Sequence, residues 1–288
     1  PLPAVLTWAA AWLLFHALLA QGVALHWALG AATALGAVCS LTVMRGSDLT
    51  RLMVTLGMAA ILLAQGVKPG DRIGSLAWNT HRHFEMFYGV SGSGAVLHTV
   101  NPRLFPEQIA WIANDAQDLA LCFDLNFLPL VEKLAPQLGS VRHFILMTDR
   151  AHMPAQSSIP GLLCYEELLA AEDGHYVWPE FDENAASSIC YTSGTTGNPK
   201  GAVYSHRSSV LHAYAAALPD AMDCSRRDVI LPVVPMFHVN AWGLPYSCAI
   251  VGAKLVFPGP HLDGKSLYEL FESEQVTFRD RKSTRLNS

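Results

Sequence analysis

The sequence predicts an α/β fold of mostly parallel sheets flanked by helices. Three observations lead there. From residue 72 onward, short apolar runs alternate with segments of helical period. Gly, Pro, Asn and Asp fall at the joints between them. The runs are apolar throughout, as befits strands covered on both faces. At 288 residues and 51% hydrophobic, the chain can bury one large core or two smaller ones.

Asp48 is placed to cap a helix running to about Gln65, with Leu49, Leu52, Met53, Leu56, Ala60 and Leu63 at near-helical intervals and Gly66 as its stop. Val67 to Asp71 is a turn, and Arg72 to Trp78 reads as a buried strand. Asn79 or Thr80 caps a helix carrying Phe84, Phe87 and Tyr88; Pro106 with Glu107 opens another. LALCFD, FLPLVEKLAP and RHFILM then read as strand, helix and strand between residues 118 and 147. Residues 148–160 are a surface excursion, and YEELLAAE, 165–172, is a short helix. Adjacent Glu166 and Glu167 do not face each other on a helix, so they belong to a solvated surface, not to acid–base chemistry. His81 and His83, two apart at a helix start, point in different directions and read as surface or packing residues. Helix 206–218, strand DVILPVV at 228–234, strand KLVFPG at 254–259, a helix from Ser266 and a strand beginning at Val276 complete the series.

The chemistry concentrates between Tyr191 and Gly201, in YTSGTTGNPKG, set between the strand-like runs SSIC and AVYSH. Gly194, Gly197 and Gly201 permit a tight concave turn whose amides face an anion. Thr192, Ser193, Thr195 and Thr196 add hydroxyl donors, and their lone pairs accept from metal-bound water. Asn198 and Pro199 set a turn before Lys200, a mobile point charge. The order differs from the Walker A loop, G-x-x-x-x-G-K-S/T, because Pro199 precedes the lysine and Gly201 follows it. A flexible Gly/Ser/Thr linker is the competing reading, and the flanking strands oppose it.

A net charge of −5 argues against nucleic acid as a partner. Six cysteines, at 39, 122, 164, 190, 224 and 248, form no C-x-x-C pair and indicate reduced thiols in a cytoplasmic protein. None of the 12 histidines has metal-ligand spacing. Residues 1–44 hold no Asp, Glu, Lys or Arg. Three readings stand open for them: a membrane span with Arg45 as flanking charge, sequence foreign to the rest, and a buried soluble segment. The tail 279–288, RDRKSTRLNS, has four basic residues and no apolar period. It reads as non-native sequence, with a basic arm for anionic surfaces as the alternative.

YTSGTTGNPKG resembles the phosphate-binding motif of the AMP-forming adenylating enzymes. The stretch ending AVLHTVNPRL resembles the fatty-acyl-CoA synthetase branch, as do the Y-S-H-R after Lys200 and PMFHVNAWGLPY from Pro235 to Tyr246. The resemblance runs from about Gln65 to Phe278, and the expected domain, 47–278, is a partial large N-terminal domain of such an enzyme. It implies ATP-dependent conversion of a medium- or long-chain fatty acid to acyl-adenylate and then acyl-CoA, with coenzyme A as co-substrate and a homodimer as one assembly. It assigns ATP phosphates to Thr192, Ser193, Gly194, Thr195, Thr196, Gly197 and Lys200, and Mg2+ to Thr192. His238 is assigned to the carboxylate and adenylate, and Trp242 to the gate of an acyl tunnel. Unlike the family pattern, the 288 residues contain no G-Y-G-x-T-E motif, ribose-binding aspartate or adenylation lysine. Catalytic residues therefore stay unassigned, and the expectation is an inactive fragment of an active ligase. Two alternatives remain: a ligase for an aryl, short-chain or thioether acid, and a membrane-anchored, non-enzymatic nucleotide-binding remnant.

Overall fold

The computed structural model describes residues 57–172, 176–192 and 198–279. Residues 1–44, the proposed cap Asp48, loop residues Ser193 to Gly197 and the tail from residue 280 lie outside them. Among the described residues no helix is long and apolar enough to cross a membrane.

In chain order the elements are α1 (57–64), β1 (Arg72–Leu76), α2 (His81–Gly92), β2 (Val96–Thr99), α3 (Pro106–Ala116), β3 (Asp118–Asp124), α4 (Leu128–Leu134), β4 (His143–Met147), β5 (Leu163–Cys164) and α5 (Tyr165–Ala171). They continue with β6 (Ala186–Tyr191), β7 (Gly201–Ser205), α6 (His206–Ala217), β8 (Val229–Leu231), α7 (Leu244–Val251), β9 (Lys254–Leu255), α8 (Gly264–Glu274) and β10 (Phe278–Arg279). Seven strands form one sheet in the order β5-β4-β3-β1-β2-β6-β7, and three form another, β10-β8-β9. Every pairing is parallel except β6 with β7.

The two-residue period of the strands explains the layers. Ile73, Leu97, Cys122 and Ile145 point to one face, where they meet Met58 and Leu62 of α1, Met86 and Phe87 of α2 and Tyr165 of α5. Leu76, Leu121, Phe123, Phe144 and Leu146 point to the other, against Ile109 and Ile112 of α3 and Val131 and Leu134 of α4. Caps set the helix starts: Thr80 Oγ1 accepts from His83 N at 3.3 Å, and Ser205 Oγ from Ser208 N at 3.1 Å. Pro106 opens α3, and Asp263 caps α8 through the amides of Lys265 and Ser266.

Three departures from the sequence reading are physical. Strands expected at 72–78, 228–234 and 254–259 close at Leu76, Leu231 and Leu255, and beyond them the three segments bond to one another through Asn79, which takes Pro232 O, Val234 O and Gly259 N. Strand β2 was not expected: VLHT, with a histidine in its middle, has no strand period in sequence, yet it lies between β1 and β6 and is wholly buried. Helix α8 begins two residues earlier than Ser266 because Asp263 is its cap.

Candidate functional site

The phosphate-loop candidate is closed by a hairpin. Strand β6 pairs antiparallel with β7, Tyr191 opposite Gly201, and Thr192 N donates to Lys200 O at 3.0 Å. Thr192 Oγ1 donates to the same carbonyl at 3.4 Å. Residues 192 and 200 therefore face each other at the loop's neck, and both are exposed. Gly201 has a role that differs from the expected turn. Its φ is not positive; a Cβ there would lie 2.6 Å from Ile189 Cδ1, so glycine supplies clearance at the stem.

Tyr191 is fixed on two sides. Its hydroxyl donates to Asp115 Oδ2 at 2.7 Å, and its ring lies 5.0 Å from that of His98 and 6.4 Å from that of Trp111. Burial and the neighbouring Asp115 carboxylate hold the phenol well above its usual range.

Beyond β8 the chain carries the second motif along the same C-terminal edge of the parallel strands, where open α/β sheets take their ligands. Two asparagines hold it. Asn79 Nδ2 donates to Pro232 O and Val234 O at 2.9 Å each, and Met236 N donates to Asn79 Oδ1 at 2.7 Å. Asn240 Nδ2 donates to Ser188 Oγ at 3.0 Å, and Cys190 Sγ lies 3.4 Å from Asn240 Oδ1. Sequence reading gave neither residue this role. Asn79 was one of two cap candidates, and Asn240 lay inside a motif read for its neighbours His238 and Trp242.

His238 is exposed and Trp242 half-buried. Between them the backbone is left-handed at four consecutive non-glycine residues, Val239 to Trp242, with φ of 48, 50, 47 and 56°, before Gly243 at 75°. Each such residue costs about 1–2 kcal/mol, so the turn persists only because it is anchored. Its anchors are Asn240 and His212, whose Nε2 lies 3.1 Å from Trp242 O. A Cβ at Gly243 would sit 2.7 Å from His212 Cδ2, which keeps that position glycine. A cavity of about 290 Å³ opens beside the turn, lined by Tyr204, His212, Val239, Gly243 and Tyr246 among others. The structure thus ties His238 and Trp242 to β6, the strand that carries the loop.

For a metal, the described residues contain no cluster of three or more His, Cys, Asp or Glu able to hold an ion. Thr192 is exposed at the neck, and its hydroxyl, which donates to Lys200 O, keeps its oxygen lone pairs open to a ligand.

Comparison with known proteins follows the same outline. Residues 55–279 match the family model described as AMP-binding enzyme. The chain is 54% identical over 220 residues to a medium-chain-fatty-acid–CoA ligase of Ectopseudomonas oleovorans, covering 76% of this chain and 40% of that protein. It is 55% identical over 220 residues to a 3-methylmercaptopropionyl-CoA ligase of Ruegeria lacuscaerulensis, covering 76% and 41%. Among solved structures, a Mycobacterium tuberculosis fatty acyl CoA synthetase superposes with TM-score 0.68 at 26% identity, over 81% of this chain and 43% of that one. The chain spans about 40% of the length of these curated relatives.

Proposed function

For a chain that belongs to the AMP-binding enzyme family, we propose a part in ATP-dependent activation of a fatty acid of medium or long chain to its acyl-adenylate and then its CoA thioester. One observation carries the reading: the neck of the YTSGTTGNPKG loop and the His238–Trp242 turn both hang on β6, one through Tyr191 and the other through Asn240. Two substrates can thus be presented to each other at one sheet edge.

In the reaction, a carboxylate oxygen forms a bond to the α-phosphorus of ATP as the bond from that phosphorus to the bridging oxygen breaks, and pyrophosphate departs. Charge builds on the departing oxygens. Lys200, exposed at the neck, and the loop hydroxyls from Thr192 to Thr196 neutralise it, an electrostatic contribution made without covalent chemistry. Thr192 would be the chain's hydroxyl ligand to magnesium carried on the phosphates, and that ion would supply further neutralisation. His238 stands on the edge where the carboxylate would lie. Trp242 belongs to the turn beside the cavity, and the side chains of Tyr204, Val239 and Tyr246 give that cavity apolar wall for an acyl chain. The CoA thiol then attacks the acyl carbonyl carbon and AMP leaves.

A second substrate reading has its own support, since relatives of nearly equal identity are named for 3-methylmercaptopropionate and for fatty acids. Pyrophosphate release separates them. With ATP and magnesium, a protein that carries this chain at the full length of its curated relatives is expected to turn over C8 to C16 acids in preference to 3-methylmercaptopropionate and benzoate, while the 288 residues, about 40% of that length, are expected to show none. Preference for the thioether acid or for benzoate overturns the fatty-acid assignment, and turnover by the 288 residues overturns the expectation that this share of the length is insufficient.

A further inference from the structure

His98 and Asp118 are both fully buried, and the imidazole Nδ1 lies 2.8–2.9 Å from both carboxylate oxygens. The contact crosses a strand: Asp118 belongs to β3 and His98 to β2, with β1 between them. It is possible because β1 presents Gly74 at that point, register partner of His98; a Cβ there would be 2.8 Å from Asp118 Oδ2. A carboxylate so deeply buried requires a polar partner, and the imidazole Nδ1 is that partner. Arg72 is the other charge bearing on Asp118, and its guanidinium is bonded to Ala116 O, Gly70 O and Gln117.

No described residue offers His98 Nε2 a hydrogen bond. What the imidazole does touch is the Tyr191 ring, 5.0 Å away and inclined by 49°, a tilted aromatic contact. Tyr191 is the last residue of β6 before the loop, and its hydroxyl is held by Asp115 from α3. His98 is also register partner of Ile189, whose side chain fills the space left by Gly201 on the other hairpin arm.

We infer that the Asp118–His98 pair is a positioning unit for the loop: it seats Tyr191, and so fixes the angle at which the 191–201 hairpin leaves the sheet. The inference rests on reading that hairpin as the phosphate grip. A buried polar pair costs more to assemble than an apolar one of the same size, and here it sits under the stem of the segment whose geometry the proposed chemistry needs.

Amide hydrogen exchange on the 288-residue chain tests it at Thr192, whose N–H closes the neck. The double variant H98Q/D118N keeps a neutral hydrogen-bonded pair across Gly74 and removes the imidazole. Exchange at Thr192 should rise about five- to tenfold relative to β3 and β4. Y191F, which keeps the ring, should retain protection, and Y191L should lose it; this pair approaches the contact without disturbing the buried His98 and Asp118, and decides the matter should the double variant fail to fold. Unchanged exchange at Thr192, loss spread evenly over β3 and β4, or equal behaviour of Y191F and Y191L overturns the inference. Titration of the same samples with magnesium pyrophosphate separates the two readings. Binding that ignores K200A sinks the phosphate assignment while the exchange result stands, and the reverse pattern sinks the positioning role alone.

Discussion

Two buried side chains that bond to the Trp78 backbone, just beyond β1, have pKa values shifted in opposite directions. His83 is fully buried; its Nδ1 lies 3.0 Å from Trp78 O and its Nε2 3.1 Å from Ser75 Oγ, and burial lowers its pKa to about 4. The lowered value means that the unfolded chain binds the proton first. His83 therefore contributes stability above pH 6.5 that is lost as pH falls toward 4, on the order of 3 kcal/mol. Asp124 accepts from Trp78 N at 2.8 Å, and burial raises its pKa to about 6. Its contribution is present below pH 3.8 and is lost as pH rises to 6. Urea denaturation from pH 4 to 6.5 should show wild-type stability relative to D124N falling as pH rises, and relative to H83Q rising. Parallel curves for either variant would contradict the corresponding environment. At this scale the sequence was only half legible. It read His83 as a surface or packing residue, and the fold buries it, but it could not show the His98–Asp118 contact, which joins residues 20 apart past a glycine on a third strand.

Among the elements, the turn from Val239 to Gly243 holds most of the strain. Asparagine is tolerant of the left-handed region, and at 240 its side chain also bonds to β6. N240A keeps the strain and loses the anchor, with an expected loss of about 2–4 kcal/mol. N240G relieves the φ but not the missing bonds, and should recover only about 1 kcal/mol of that. Chemical unfolding checks this, and an N240G variant as stable as wild type would show that the side-chain anchor contributes nothing. The helices here were readable from capping and period, α2 from Thr80 and α3 from Pro106. The left-handed turn was not, since VNAW contains no glycine and only Asn240 hints at positive φ.

Across the molecule, a mostly parallel seven-stranded sheet and a parallel three-stranded one are joined through an asparagine: Asn79 reaches from beyond β1 to the segment after β8, and its carbonyl accepts from Gly259 N at 3.0 Å. The sequence conveyed the alternation of strands and helices, and hence the parallel sheets, because that rhythm is local. It did not convey the split into seven and three strands or their order, which depend on pairings between segments far apart. The loop itself was legible because its glycines, hydroxyls and lysine are contiguous. Its support was not, because Tyr191, His98, Asp118 and Asn240 are brought together only by the fold.

The phosphate grip is the claim on which the rest depends, and calorimetric titration of magnesium pyrophosphate into the chain tests it most directly. Saturable binding is expected in the wild type, weakened about tenfold to a hundredfold in K200A, as befits loss of one charge-assisted contact. Equal affinity of the two proteins, or no binding by the wild type, would contradict the account.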